Sequence, residues 1–234
     1  VRRAKARVAG RLPVIAGSGT NSTAKSIELS RELAAAGADG LLTVVPYYNR
    51  PTQEGLYRHF SAIADSVNVP VILYNVPGRT VCDMLPETVV RLSEHPRIVG
   101  IKEATGDMSR AESILGAARP GFLLLSGDDP TAAELMKRGA RGVISVTANV
   151  APRAMHDMCV AALKGRHAEA AALNERLMPL HLAMFVEPNP IPVKWAVARL
   201  GLIERGIRLP LTPLAEPLEA ELLAAMKAAG VRFA

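Results

Sequence analysis

The chain has 234 residues, of which 49% are hydrophobic and 21% are charged, and its formal net charge is +6. This composition excludes a disordered chain and supports one globular unit with a sizeable core. Four Phe, four Tyr and one Trp are too few to build a stacking surface for single-stranded nucleic acid. No apolar run approaches the roughly 20 residues that cross a bilayer. We therefore expect neither a nucleic acid nor a membrane as a partner.

Six short apolar runs rich in Val, Ile and Leu follow one another along the first two thirds of the chain. Each is followed by turn residues and by a segment with helical spacing, so a strand–helix unit repeats about every 20–30 residues. The runs are apolar throughout rather than alternating, which is typical of a parallel sheet covered on both faces. The predicted strands are residues 13–16, 40–45, 70–74, 97–102, 121–125 and 142–146.

Helix signals support the same alternation. Residues 20–23 offer capping side chains before a predicted helix at 24–36, and Pro86 opens another helix where the first amide needs no partner. After residue 146 the strands stop, and Ala- and Leu-rich sequence with helical periodicity follows, interrupted by Pro179 and by the proline-rich residues 188–192. Six strand–helix units fit an open doubly wound sheet or the last six units of an eight-unit barrel, and periodicity does not decide between them.

Cysteine and histidine usage gives no sign of a metal site or a disulfide. Cys82 and Cys159 are far apart in the sequence, with no second Cys or His at ligand spacing. The five histidines also lack metal-binding spacing, which argues against a zinc-dependent aldolase. We therefore expect no metal and no other cofactor, and a reducing cytoplasm as the location.

A lysine at the end of the fourth apolar run is the first candidate for chemistry. In parallel α/β proteins the catalytic groups collect at the carboxyl ends of strands, and Lys102 ends the run 97–102. Burial at the rim of an apolar barrel lowers the pKa of an amine, and the free amine can condense with a ketone to a Schiff base. The alternative is a strand-end lysine that reaches solvent or pairs with Glu103, and the strand alone favours this alternative.

Loops and strand ends elsewhere carry further candidates. Tyr74 ends the third run; its phenol either shuttles protons beside a lysine amine or simply fills the end of the sheet. Arg79, in the Pro-Gly turn that follows, either offers a bidentate guanidinium to a substrate carboxylate or is an exposed turn residue. The loop 46–51 is made rigid by two prolines and presents Tyr47 and Tyr48, exposed rings of the kind that often contact a partner chain.

Five segments of the chain form a distinctive set. They are Pro-Tyr-Tyr-Asn-Arg-Pro at 46–51, Tyr-Asn-Val-Pro-Gly-Arg-Thr at 74–80, Gly-Ile-Lys-Glu-Ala-Thr-Gly at 100–106, Leu-Ser-Gly-Asp-Asp at 125–129 and Gly-Val-Ile-Ser-Val-Thr at 142–147. In this order they closely resemble the dihydrodipicolinate synthase family, also called 4-hydroxy-tetrahydrodipicolinate synthase. The resemblance extends over essentially the whole chain, through residues 187–194.

The resemblance implies a (β/α)8 barrel of the TIM type followed by a C-terminal helical domain. The six predicted strands then match the third to eighth strands of the barrel, so we expect the barrel to lack its first two strands. Residues 1–165 form the last six barrel units in this interpretation, and residues 166–234 form the helical domain. The family also implies a homotetramer built as a dimer of dimers.

The same resemblance implies a lyase of lysine and diaminopimelate biosynthesis, which condenses pyruvate with L-aspartate 4-semialdehyde to give 4-hydroxy-tetrahydrodipicolinate. It implies that Lys102 forms the Schiff base with pyruvate and that Tyr74 relays protons. It further implies that Arg79 anchors the carboxylate of aspartate semialdehyde and that Tyr48 completes the relay in a neighbouring subunit. The positions that match the lining of the pyruvate pocket are Gly127 and Ile144.

Two departures from the family pattern affect these expectations. The family's Gly-Thr-Thr-Gly-Glu segment, which contributes a threonine to the proton relay, does not occur in this sequence. A non-catalytic remnant is therefore one alternative, and another pyruvate-dependent aldolase of the N-acetylneuraminate lyase type is a second. Asn21 and Tyr47 match the family's lysine feedback site, but Lys25 stands where sensitive members carry an acid. We expect weak or absent inhibition by lysine, because a cation there repels the amines of lysine.

Overall fold

Five of the six apolar runs form one parallel sheet in the computed structural model, which describes residues 1–233. The strands lie side by side in chain order, and each neighbouring pair is parallel. Their bounds are β1 Ile15–Gly17, β2 Gly40–Val44, β3 Val71–Asn75, β4 Ile98–Glu103 and β5 Leu123–Ser126. The predicted α/β class with a parallel sheet is confirmed.

Contacts within the chain group it into two compact units. Residues 1–127 and 139–141 form the first unit, which contains the sheet, and residues 128–138 and 142 onward form the second. The helices of the first unit are α1 Arg2–Val8, α2 Thr23–Ala35, α3 Gln53–Asp65, α4 Pro77–Thr80, α5 Pro86–Ser93 and α6 Met108–Ala117. Side chains that accept hydrogen bonds from first-turn amides cap three of these helices. The capping residues are Ser22, Thr52 and Asp107.

An irregularity in the pairing of β3 with β4 determines which side chains meet at the strand ends. Ile98 and Gly100 of β4 oppose consecutive residues of β3, so Val99 between them has no partner in the register. The pairing then continues without interruption to the ends of both strands. The last two pairs are Tyr74 with Lys102 and Asn75 with Glu103.

Residues 142–146 do not form the predicted sixth strand. Only Val143 takes part in a single strand-like bridge. The amides of Val146 and Thr147 both donate to one carboxylate oxygen of Asp129, at 2.9 Å each. A side chain thus takes hydrogen bonds that a neighbouring strand would otherwise supply, and the segment departs from β geometry.

The second unit is helical, as predicted for the sequence after residue 146. Its core contains the fully buried Met158, Leu180 and Leu222. Pro179 lies inside a helix rather than interrupting it, because packing of the buried Leu177 and Leu180 outweighs the roughly 3 kcal/mol cost of an internal proline. The helices are α7 Ala132–Lys137, α8 Pro152–Leu163, α9 His167–Ala183, α10 Ile191–Arg199 and α11 Glu216–Ala228, with a 3-10 turn at Thr147–Asn149. Within residues 1–233, no helix is both long and apolar enough to span a membrane.

Candidate active site

Lys102, the candidate nucleophile, lies near the carboxyl end of β4 with its side chain buried. The residue is 9% exposed, and its Nζ lies 4.3 Å from the centroid of the Tyr74 ring. The two residues are partners in the register of β3 and β4, so the strand pairing itself brings the amine to the phenol ring. The structure therefore brings two predicted site residues together, and the lysine does not reach into solvent.

Gly127 follows β5 and leaves the space that the lysine side chain occupies. A Cβ atom at this position would lie 2.9 Å from Cε of Lys102 and 2.5 Å from Cβ of Ala104. Both distances are shorter than carbon atoms tolerate without a shift. The Gly127 amide donates to the Glu103 carbonyl at 2.7 Å, which fixes the glycine backbone beside β4. Only glycine fits here with the lysine in its present position.

Tyr74 is half-buried beside the amine. Burial raises the pKa of its phenol above the ordinary value of 10.0, and the positive charge of Arg79 opposes this effect. The phenol is therefore protonated at neutral pH and is able to donate a hydrogen bond or a proton. A protonated phenol beside a nucleophilic amine suits proton transfer to and from a bound carbonyl compound.

Arg79 lies in the short helix α4, which begins two residues after β3 ends. Pro77 at the start of α4 has the φ angle that a first helical turn requires. Val81 ends the helix in the left-handed conformation, with a φ of 57°, which is costly for a β-branched residue. Arg79 is an exposed residue, and its positive charge acts to lower the pKa of Tyr74. A guanidinium at this place can bind a carboxylate through two hydrogen bonds.

Tyr48 is 87% exposed, in contrast to the buried Lys102 and the half-buried Tyr74. Its backbone has a φ of 74°, a region that a residue other than glycine adopts at a cost of about 1–3 kcal/mol. Its amide donates to the Thr80 carbonyl at 3.2 Å, which attaches the loop 46–51 to α4. The Tyr48 side chain is thus exposed to solvent on a loop whose backbone is strained.

Ile144 belongs to the second unit, in the segment 142–146, and is half-buried. Asp129 holds the end of this segment through the two amide hydrogen bonds described above. Thr147, at the end of the same segment, also pairs its hydroxyl with Nδ1 of the buried His181 at 2.8 Å. The backbone that follows Ile144 is therefore fixed by buried polar contacts within its own unit.

Glu103, which the sequence suggested only as an ion-pair partner for Lys102, has a different role. Its buried carboxylate accepts hydrogen bonds from the Thr105 amide at 2.9 Å and from the Asn75 side chain at 3.2 Å. Burial raises the pKa of this carboxyl, and the hydrogen bonds oppose the rise. The signal was present in the sequence, because a residue next to Lys102 in a strand faces the opposite side of the sheet.

Comparison with known proteins yields consistent matches. The model of the dihydrodipicolinate synthetase family matches residues 1–229. The 4-hydroxy-tetrahydrodipicolinate synthases of Stutzerimonas stutzeri and Pseudomonas aeruginosa are 59% and 58% identical over 231 residues, which cover 99% of this chain and 79% of each relative. The crystal structure of chloride-inhibited dihydrodipicolinate synthase from Acinetobacter baumannii, complexed with pyruvate, has a TM-score of 0.97 at 52% identity, covering 99% of this chain and 79% of that chain. The crystal structure of dihydrodipicolinate synthase from Aquifex aeolicus has a TM-score of 0.96 at 41% identity, and the match covers 99% of this chain and 80% of that chain.

Proposed function

Because the chain belongs to the dihydrodipicolinate synthetase family, we propose that it condenses pyruvate with L-aspartate 4-semialdehyde to give 4-hydroxy-tetrahydrodipicolinate. This activity makes it a carbon–carbon lyase of lysine and diaminopimelate biosynthesis. The observation that carries the proposal is the buried amine of Lys102 against the ring of Tyr74, in a chain with relatives of nearly 60% identity over almost its whole length.

The reaction begins at the amine of Lys102. Its nitrogen attacks the ketone carbon of pyruvate, water leaves, and a protonated imine forms. The imine withdraws electrons from the adjacent methyl carbon, which loses a proton and becomes the nucleophilic carbon of an enamine. This carbon attacks the aldehyde of aspartate semialdehyde and the new alkoxide takes up a proton. The substrate's own amine then displaces Lys102, which closes the ring and frees the enzyme.

Tyr74 donates and accepts protons beside this chemistry in the proposal. Its phenol is kept protonated by burial, and its ring contacts the Lys102 amine. Tyr48 of a neighbouring subunit completes the relay in this proposal. The exposure of the Tyr48 ring and its strained backbone support that role, because both fit a side chain that enters another chain's site.

Binding of the two substrates involves the remaining predicted residues. Arg79 anchors the carboxylate of aspartate semialdehyde, which its exposure and its electrostatic effect on Tyr74 support. Gly127 lines the pyruvate pocket, since its lack of a side chain leaves room beside Lys102. Ile144 keeps in this proposal the substrate-binding role that the family resemblance implies, and the fixed backbone after it suits a residue of a preformed site.

The proposal extends to the fold and the assembly. We assign β1 to β5 and the segment 142–146 to the third to eighth units of a (β/α)8 barrel, with residues 1–165 as barrel and residues 166–234 as a C-terminal helical domain. The sequential order of the parallel strands supports the assignment. A homotetramer that is a dimer of dimers, acting in the cytoplasm, completes the proposal, and the exposed Tyr48 supports contact between subunits.

Trapping of the imine tests the function directly. The protein is incubated with pyruvate and borohydride, and its peptides are then weighed. We expect the mass of one reduced pyruvate adduct on Lys102, absent in the Lys102→Arg variant and kept in Lys164→Arg, which changes an exposed lysine. An unmodified Lys102 in a folded protein contradicts the proposal and favours a non-catalytic remnant. Adding aspartate semialdehyde or N-acetylmannosamine in turn then separates the synthase from an N-acetylneuraminate lyase.

A further inference from the structure

The last two residue pairs of β3 and β4 divide between the two faces of the sheet. Tyr74 and Lys102 meet on one face, and the following pair, Asn75 and Glu103, meets on the other. The first pair belongs to the site proposed above. The second pair is buried and hydrogen-bonded. It has no role in the imine chemistry proposed above. A buried polar pair directly behind the site calls for an explanation of its own.

Asn75 uses every hydrogen-bonding atom of its side-chain amide. Its Nδ2 donates to Oε2 of Glu103 at 3.2 Å and to Oδ1 of Asp83 at 3.0 Å. Its Oδ1 accepts from the Met84 amide at 3.0 Å. These bonds join the residue just before the loop 76–83 to the residues at the far end of that loop. Asn75 therefore closes the base of the loop that carries Arg79.

Arg110 of α6 holds the same loop base. Its terminal nitrogens donate to Oδ2 of Asp83 at 2.6 Å and to the Met84 carbonyl at 2.9 Å. The Arg110 side chain is 13% exposed and that of Asp83 is 37% exposed, so the charge-assisted pair is held on the arginine side by buried surroundings. Gln53 of α3 adds a hydrogen bond to the Asp83 carbonyl at 2.8 Å. We call the following four residues the loop brace: Asn75, Asp83, Glu103 and Arg110.

The loop held by the brace is exposed and strained at its tip. Gly78, Arg79 and Val81 are exposed, and Val81 adopts a φ of 57°, which a β-branched residue does only where the surrounding structure imposes it. Such a loop keeps one shape only when its base is fixed. The distance from Arg79 to Lys102 and Tyr74 therefore depends on the brace.

We propose that the loop brace is a positioning device for the second substrate, which fixes Arg79 so that its guanidinium meets the carboxylate of the incoming aldehyde while pyruvate is held at Lys102. This proposal rests on the function proposed above. The brace acts through Arg79, and the capture of pyruvate by Lys102 does not require it. Loss of the brace therefore lowers kcat/KM for aspartate semialdehyde much more than it lowers the rate of imine formation with pyruvate.

Variants of Arg110 and a matched control test the proposal. Arg110→Met removes both donors and Arg110→Lys keeps one charged donor. Arg58→Met removes an exposed arginine that pairs with Glu54 on the same helix. For Arg110→Met we expect kcat/KM for aspartate semialdehyde to fall at least about tenfold while borohydride trapping with pyruvate alone stays within about twofold of the wild type. Arg110→Lys should recover part of the loss, and Arg58→Met should behave as the wild type.

A double variant shows whether the brace acts through Arg79. If it does, Arg79→Ala combined with Arg110→Met is no worse toward aspartate semialdehyde than Arg79→Ala alone, because the anchor that the brace positions is already gone. If the fold-losses in kcat/KM for aspartate semialdehyde of the two single variants multiply in the double variant, that result overturns the proposal. So does an equal loss of trapping and of aldehyde turnover in Arg110→Met, which is the signature of a general structural role.

Two further outcomes keep the proposals separate. If the wild type forms no adduct with pyruvate, the proposed function fails and the brace proposal fails with it. If the adduct forms in every variant and kcat/KM for the aldehyde is unchanged by loss of the brace, only the brace proposal fails. Should Arg110→Met not fold, Arg110→Lys and Asp83→Asn carry the test, since each preserves part of the hydrogen bonding at the loop base.

Discussion

The absence of a side chain at residue 127 is what allows a long amine to lie flat against the end of β4. Lys102 and Ala104 lie on the side where a Cβ of residue 127 would project. Lys102 is buried and packed against the Tyr74 ring, so its methylene chain has little room to yield. The position of the nucleophile is thus determined by a neighbour that contributes no functional group.

We expect Gly127→Ala to slow imine formation with pyruvate about 100-fold, because a displacement of the amine by about 1 Å costs this much in a preorganised site. The rate of borohydride trapping measures the effect. Gly116→Ala is the matched control, since a Cβ at this position in the last turn of α6 has nothing within 4 Å. The control should trap pyruvate normally and gain about 0.4–1 kcal/mol of stability, because alanine leaves the unfolded chain less conformational freedom than glycine does. A normal rate of trapping in Gly127→Ala would show that the Lys102 side chain can shift without loss of function, and would contradict this prediction.

Sequence patterns predicted the individual site residues unevenly. Lys102 and Tyr74 were found because each ends an apolar run, and strand ends are where parallel sheets place their chemistry. The loop brace was missed because its members are distant in sequence: Asp83 and Arg110 are 27 residues apart, and Asn75 and Glu103 are 28 apart. Asn75 and Glu103 meet through the register of β3 and β4, and Asp83 and Arg110 meet through the contact of α6 with the loop base. A single sequence states neither arrangement.

The strands were predicted well where the repeated strand–helix units supply one another's hydrogen-bond partners. The five strands lie within two residues of the predicted runs at each end, because a continuous apolar run is favourable only when both faces are buried. The sixth run did not become a strand: at its end the amides of Val146 and of the following Thr147 donate to the Asp129 side chain instead of to a neighbouring strand. Pro179 failed as a helix terminator because burial of Leu177 and Leu180 keeps α9 continuous.

Helices α2 and α3 share a partly buried contact, through the buried His59, that depends on pH. Nδ1 of His59 pairs with the Thr23 hydroxyl at 2.9 Å, and burial lowers the pKa of His59 from 6.5 to about 4. The unfolded chain therefore takes up a proton at a higher pH than the folded chain does. The stability from this group is complete above pH 6.5 and is lost as the pH falls toward 4, by about 3 kcal/mol in total.

Urea unfolding between pH 7 and pH 4 measures this loss. We expect the free energy of unfolding to fall less steeply with decreasing pH in His59→Gln than in the wild type. His156→Gln, which changes an exposed histidine of the second unit, should keep the wild-type slope. Identical slopes in His59→Gln and the wild type would mean that the imidazole is not held neutral by burial.

At the scale of the whole molecule, the charge of the protein suits its proposed substrates. The formal net charge is +6, and pyruvate and aspartate semialdehyde both carry carboxylates, so the general field favours their approach. Lysine, the end product of the proposed biosynthetic route, carries a net positive charge at neutral pH, so the same field repels it. Lys25 adds a local charge at the position where the family resemblance places the feedback site.

We expect micromolar lysine to leave the wild-type activity unchanged. The Lys25 amine lies 2.8 Å from Glu28, whose hydrogen bond and charge raise the pKa of Lys25, so the residue is a cation at neutral pH. Lys25→Glu reverses the charge and should lower the lysine concentration that gives half-inhibition, whereas Lys164→Glu, on an exposed position of the second unit, should not. Inhibition of the wild type by micromolar lysine would refute the charge argument.

The unpaired Val99 determines which face of the sheet each later side chain of β4 occupies. Because paired residues of neighbouring strands face the same side of a sheet, leaving Val99 out of the pairing moves each later residue of β4 back by one place along β3. With Val99 in place, the amine is on the side of the phenol and the carboxylate is on the side of the brace. If Val99 instead paired with Ile72 in a regular ladder, Ile101 would stand opposite Tyr74 and Lys102 opposite Asn75, and the amine would lie on the side of the brace.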